Sequence, residues 1–288
     1  MASMIELIKE LRDRTGAGMM DCKKALEATN SDVEKAIDWL REKGIAKAQA
    51  KASRIAAEGL SGVKVEGNRA VIAEVNCETD FVSKGEKFHK LVDDVLASAL
   101  ANSPKDVEEA KAQTAQLFTD ATVSMGEKLD YRRFEIIEKS GAQGFGAYVH
   151  MGGKIATLVL LEKEDAELAK GLAMHIAANG PKYISEADIP ADVLDKERTI
   201  QLEAAKADPK LASKPEQILK GIVEGKVKKL LSESVLSSQA YLLDGEKSVA
   251  QVLKEKGNNI VKFVRYSVGE GIEKRQDNFA EEVMKEIK

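Results

Sequence analysis

Residues 74–84 read Glu74-Val75-Asn76-Cys77-Glu78-Thr79-Asp80-Phe81-Val82-Ser83-Lys84. A run rich in β-branched residues, with Val71, Ile72 and Val75, stops there at an acid beside a phenylalanine. Such residues fit a pleated, half-buried surface, so the run predicts a strand that leaves Asp80 and Phe81 on a loop or helix start at its end. Two readings of the pair compete. In one, Asp80 caps the following helix and Phe81 covers its first turn. In the other, the pair is a binding group displayed at the end of a rigid sheet.

The surrounding pattern occurs twice. Val63 and Val65, the Gly67-Asn68 turn and the run from Ala70 to Asn76 make a hairpin signature, and Ala147–His150, Gly152-Gly153 and Ile155–Leu161 repeat it. A helical stripe follows each hairpin: Phe88, Val92 and Leu96, then Leu168, Leu172 and Ile176. Each unit closes on another strand-like run, Arg133–Ile137 in one and Val261–Val268 in the other. Aligning the turns sets Cys77 opposite Glu162, while aligning the helices sets Glu86 opposite Ala166, so the first copy carries five extra residues. The surplus falls on Thr79 to Lys84, and this favours display over capping.

A chain of 288 residues with 43% apolar content supports about two domains with real cores. Its 44 basic and 48 acidic residues leave a net charge of −4, which predicts no direct nucleic-acid partner. No apolar stretch reaches membrane-spanning length, and Met1-Ala2-Ser3-Met4-Ile5-Glu6 has an early acid where a leader would be basic and then apolar. The expectation is a soluble, cytoplasmic protein with no membrane partner. Cys22 and Cys77 are too few and too far apart for a disulfide framework or a zinc cluster. No cofactor and no metal site is expected.

The predicted class is α+β: duplicated small antiparallel sheets packed with helices, preceded by a three-helix module. Residues 1–54 form that module and its connector, 55–140 the first core subdomain, and 141–180 and 230–263 the two parts of the second. In the module, Met4, Ile8 and Leu11 make a first stripe, Thr15-Gly16-Ala17-Gly18 is a turn, and Met19–Ala28 restarts a helix. Ser31-Asp32-Val33-Glu34 resembles a capping box opening a third helix with Val33, Ile37 and Leu40 on one face and its end at Gly44. Trp39 reads as core. Met19 and Met20 are adjacent and cannot both face inward, so one is expected to be adaptable contact surface. Ala46–Ala57 reads as a helical connector.

Residues 181–229 hold four of the five prolines and two helix-forming runs, Ala191–Ala207 and Glu216–Leu230, with Ile218, Ile222 and Val223 marking a seam. They predict an inserted antiparallel hairpin, a surface for another protein or for a homodimer with a second copy of the chain. Residues 264–288 form a C-terminal module.

The run Leu11-Arg12-Asp13-Arg14-Thr15-Gly16-Ala17-Gly18-Met19-Met20-Asp21-Cys22-Lys23-Lys24-Ala25-Leu26, together with Glu74–Lys84, resembles the two signatures of the bacterial translation elongation factor Ts family. The likeness extends through Met174-His175-Ile176-Ala177-Ala178 and Val268-Gly269-Glu270-Gly271-Ile272-Glu273-Lys274. It implies a guanine-nucleotide exchange factor for the GTPase elongation factor Tu. It also implies a ubiquitin-associated (UBA-like) fold for the module, docking through Arg12, Met19 and Met20. The core would hold the rest of the partner together with a C-terminal helix striped by Phe279, Val283 and Ile287. Thr79, Asp80, Phe81 and Val82 would enter beside the nucleotide's Mg2+ site.

Such exchange needs no bond-making group. The alternatives are a plain adaptor built on the UBA-like module, or an enzyme with Cys22 or Cys77 as nucleophile and His89, His150 or His175 as base. Small buried cysteine is the usual state, so catalysis is not expected. His150, abutting the second hairpin turn, ranks first among the histidines for partner contact. Lys23, Lys24 and Lys84 read as solvated.

Overall fold

Ser3 opens the first helix with a complete capping box, its hydroxyl accepting the Glu6 N–H while the Glu6 carboxylate accepts the Ser3 N–H. The structure is a computed structural model that describes residues 2–211 and 214–273. The fold is α+β. Helices α1 (Met4–Thr15), α2 (Met19–Ala28) and α3 (Val33–Lys51) bury Leu11, Cys22, Ala25, Leu26, Ala36 and Leu40 together. The residue that caps α3 is Asp32, whose carboxylate accepts the Lys35 N–H at 3.1 Å.

Strands β1 (Glu58–Glu66) and β2 (Arg69–Cys77) pair antiparallel across the Gly67-Asn68 turn. After β2 come the single turn α4 (Asp80–Ser83), then α5 (Glu86–Asn102), α6 (Val107–Gln113) and α7 (Ala115–Met125), and β3 (Asp130–Glu138) returns beside β2. Val71, Ala73, Val75 and Cys77 alternate onto one face of β2, where the α5 stripe Phe88, Val92 and Leu96 covers them. The second copy runs β4 (Gly144–His150), a 3-10 turn at Met151–Gly153, β5 (Ile155–Leu161) and α8 (Ala166–Asn179). Leu168, Leu172 and Ile176 of α8 are buried with Val159 and Leu161. Helices α9 (Ala191–Ala207) and α10 (Glu216–Ser232) follow, then β6 (Ala240–Tyr241), β7 (Asp244–Ser248), α11 (Val249–Lys256) and β8 (Ile260–Ser267). The two sheets have matching orders, β1-β2-β3 and β4-β5-β8.

Four readings of the sequence need correction. Helix α3 does not end at Gly44; it continues to Lys51, because the glycine admits α7 rather than stopping the helix. A Cβ at Gly44 would lie 2.4 Å from Val123 Cγ2. The hairpin seam is Leu219, Val223, Val227 and Leu231; Val223 lies in it as expected, but Ile218 is exposed and Ile222 only half-buried. Eight residues separate β2 from α5 and four separate β5 from α8, so the first copy's surplus is four, since β5 stops one residue before Glu162. Trp39 is only half-buried, with the Lys43 ammonium 5.4 Å from its ring centre. The stripe Phe279, Val283 and Ile287 lies outside the described residues.

The described residues divide into two compact units: Met1–Glu138 with Val149–Ala156 and Tyr266–Lys288, and Lys139–Tyr148 with Thr157–Arg265, as far as they are described. Among the described residues, no helix is long and apolar enough to cross a membrane.

In the first unit a register shift between Glu74 and Val75 places Glu74 opposite Arg133 and Val75 opposite Tyr131, so Arg132 is the extra residue of a bulge. Both arginines thereby reach the fully buried Glu74 carboxylate, at 2.8 and 2.6 Å. The Gly269 N–H (2.8 Å) and Asn76 Nδ2 (3.1 Å) complete its shell. Burial pushes the Glu74 carboxyl up, but the Gly269 N–H and the two guanidinium groups outweigh it and hold the group below the ordinary glutamate value. Glu74→Gln should lower the unfolding free energy by about 2–4 kcal/mol at neutral pH. A depressed folded-state pKa contributes stability above the unfolded value that is lost as pH falls through the folded value. Denaturant titrations of both proteins should therefore converge as pH drops below the ordinary glutamate range; a gap independent of pH would contradict this account.

Candidate functional site

Thr79 is the true cap of α4: its backbone is extended and its hydroxyl oxygen accepts the Val82 N–H at 3.4 Å. The reading in which Asp80 caps the turn and Phe81 covers it is therefore set aside. Asp80 instead pairs with Lys84 at 2.6 Å, and that ammonium holds the Asp80 carboxyl below its ordinary value. Lys84, expected to be simply solvated, is this partner. Phe81 covers nothing: it is 85% exposed. Val82 turns inward against the core of the first sheet and Ser83 is buried, so one side of the turn is anchored while the other carries a bare aromatic ring.

The turn is fixed from the α7–β3 connection. One Glu127 oxygen accepts the N–H groups of Glu78 and Thr79, both at 3.0 Å, and the other accepts the Thr79 hydroxyl at 2.6 Å. Reciprocally, Glu78 Oε1 accepts the Lys128 N–H at 2.6 Å, and the Glu78 carboxylate also pairs with Arg54 at 3.1 Å. Lys128 Nζ donates to the Ala52 and Arg54 carbonyls, each at 2.7 Å, so the chain just beyond α3 joins the same knot. Glu127, Lys128 and Arg54 carried no signal in the sequence. The contacts from Thr79 to Glu127 cross 48 positions, and no local periodicity reports a bond at that range.

The helical module presents its own surface. Met19 and Met20 are 59% and 62% exposed, so both, not one, are available as contact surface. Arg12 is exposed on α1. Lys87, in the first turn of α5, reaches the Gly16 carbonyl at 3.2 Å and Ser124 Oγ at 2.6 Å. The turn before the methionines is thus tied to the helix that follows Phe81. His150 is exposed at the end of β4, in the segment Val149–Ala156 that belongs to the same unit. There Lys154 Nζ meets Glu58 at 2.8 Å.

The candidate nucleophiles do not resemble reactive thiols. Burial pushes the Cys77 thiol up to about 12, with the Glu127 charge adding to it, and burial also raises Cys22. His175 is buried, with Nε2 2.8 Å from Gln239 Oε1 and Nδ1 accepting the Leu242 N–H at 3.1 Å. Burial pushes its pKa down, against the Gln239 bond. It is a structural histidine.

The same unit thus carries an exposed ring on a hydrogen-bonded turn and two exposed methionines. The Elongation factor TS family profile matches residues 78–270, and the chain belongs to that family, which has a nucleotide exchange role in translation. The matched stretch begins one residue before Thr79 and excludes the helical module. The family acts with elongation factor Tu.

Since Phe81 touches little and Val82 is packed, the two should separate in stability. Phe81→Ala should move the unfolding free energy by no more than about 0.5 kcal/mol, whereas Val82→Ala should cost about 1 kcal/mol. Thermal unfolding of both variants checks this; a large loss for Phe81→Ala would return the ring to a structural role.

Proposed function

We infer that this chain binds elongation factor Tu in its GDP-bound form and speeds GDP release by disturbing the Mg2+ and phosphate site, after which GTP rebinds. The observation that carries the reading is Phe81, exposed at the tip of a turn whose backbone is held by Glu127. Mg2+ on a diphosphate demands near-octahedral geometry, so small displacements of its ligands or waters are costly. A ring wedged among partner side chains produces such a displacement, and Asp80 diverts a hydrogen-bond donor or repels phosphate. By linkage, nucleotide weakens the grip of the factor by the same ratio that the factor weakens nucleotide, so GTP rebinding expels it.

Arg12, Met19 and Met20 supply docking surface through a polarizable pair suited to an apolar groove, and His150 adds to it. No group in the chain makes or breaks a covalent bond in this scheme. The translation role of the family supports a cytoplasmic location.

The test is stopped-flow release of a fluorescent GDP from elongation factor Tu with and without this chain. Acceleration supports exchange; binding without acceleration leaves a plain adaptor. Phe81→Ala should slow release at saturating factor by about tenfold or more, the size of a buried aromatic contact. Met19→Ala with Met20→Ala should instead raise the half-saturating concentration about tenfold while the maximal rate stays close to wild type, the signature of lost uniform binding. A Phe81→Ala protein with wild-type release would remove the wedge.

A further inference from the structure

Glu127 lies outside the displayed turn, yet its carboxylate makes three bonds to the two residues before Asp80. Both N–H groups there, of Glu78 and Thr79, point to one oxygen at 3.0 Å. The Thr79 hydroxyl donates to the other at 2.6 Å, the length of a charge-assisted bond. A hydroxyl has one proton, so giving it to Glu127 leaves the Thr79 oxygen free to accept the Val82 N–H and close α4. The order matters: without the carboxylate, the Thr79 side chain loses the partner that fixes its rotamer, and the cap of the turn bearing Phe81 goes with it.

Glu127 is itself held. The next residue, Lys128, donates its N–H to Glu78 at 2.6 Å and its ammonium to the carbonyls of Ala52 and Arg54. On the preceding side the left-handed Gly126 (φ 75°) ends α7 with its N–H on the Thr122 carbonyl at 2.9 Å.

We propose that Glu127 is a positioning residue for exchange, setting the angle at which Asp80 and Phe81 enter the partner without touching it. The proposal rests on the exchange reading above. A wedge that acts on ion geometry tolerates little misplacement, so loosening its base lowers the effect of the docked complex more than the docking itself.

The experiment is GDP release from elongation factor Tu by the full chain carrying Glu127→Gln, Thr79→Val, Thr79→Ser, Phe81→Ala, and Glu127→Gln with Phe81→Ala. The amide keeps the size of the side chain but turns one acceptor into a donor that faces an N–H or hydroxyl. Glu127→Gln should reduce the saturating release rate about tenfold, the size of one charge-assisted bond, with the half-saturating concentration unchanged, because the loosened turn weakens the action of the docked complex and not docking. Thr79→Val should match it, and Thr79→Ser, which keeps the hydroxyl, should restore most of the rate. In the double variant the combined loss should fall well short of the product of the two single losses, because both changes act through the same turn.

Wild-type release by Glu127→Gln, or losses that multiply in the double variant, would overturn the proposal while leaving the wedge intact. Wild-type release by Phe81→Ala would remove the wedge reading itself, and the inference with it. Thermal unfolding accompanies each rate. If Glu127→Gln is not folded at the assay temperature, the Thr79→Val and Thr79→Ser pair decides alone: equal rates overturn the proposal.

Discussion

A carboxylate sealed inside a sheet is the constraint around which the first unit is organised. An ionised group out of water is costly unless every lone pair is met and its charge countered. Glu74 is met by two consecutive arginines, which only a bulge in β3 can aim at one residue, since neighbours on a regular strand face opposite ways. A third donor comes from far along the chain. Gly269 sits in the left-handed region at φ 75°, where a Cβ would lie 2.4 Å from the Ala57 carbonyl oxygen. Arg133 also stacks 4.2 Å from the Tyr266 ring centre, so the segment after β8 is drawn back beside β2. One charge thus selects the residue types at several distant positions.

The end of β2 is tied to the turn bearing Phe81 through short links. Cys77 Sγ contacts the Thr79 carbonyl at 3.2 Å, and Glu78 and Glu127 each bind the other's neighbouring backbone. These bonds join the strand end, the α7–β3 connection and the chain after α3 in one place. Lys87 adds the Gly16 turn of the helical module. Met19, Met20 and Phe81 therefore lie within one unit.

How much of this the sequence discloses depends on the range of the signal. The two hairpins, the stripes on α5 and α8 and the start of α2 were legible because periods of two and of three to four residues, with glycine turns, are local. Gly44 misled because a glycine late in a helix reads as a stop, while here it is a close approach to Val123. Ile218 misled because it and Leu219 are both apolar, and only the partner helix decides which faces in. Helices α6 and α7 and the β6–α11 stretch went unread although Asp106, Gly126, Asp244-Gly245 and Ser248 mark their ends, because none of them belongs to the repeated hairpin-and-helix pattern. The turn at Thr79 was found as an oddity, a surplus relative to its own repeat, but the groups that hold it were invisible because they are carboxylate-to-backbone bonds between distant segments.

A phenylalanine held permanently in water has a cost in the life of the free protein. Because the turn is already hydrogen-bonded in the free chain, little conformational entropy would remain to be lost there if Phe81 met a partner as proposed. The same preformed ring is a standing invitation to self-association, which a disordered or tucked-in segment would avoid. The Asp80–Lys84 ion pair on the same turn sets opposite charges next in sequence to that ring, and a single apolar side chain among charges makes only a small patch. Solubility and readiness are thus balanced within a single turn of helix.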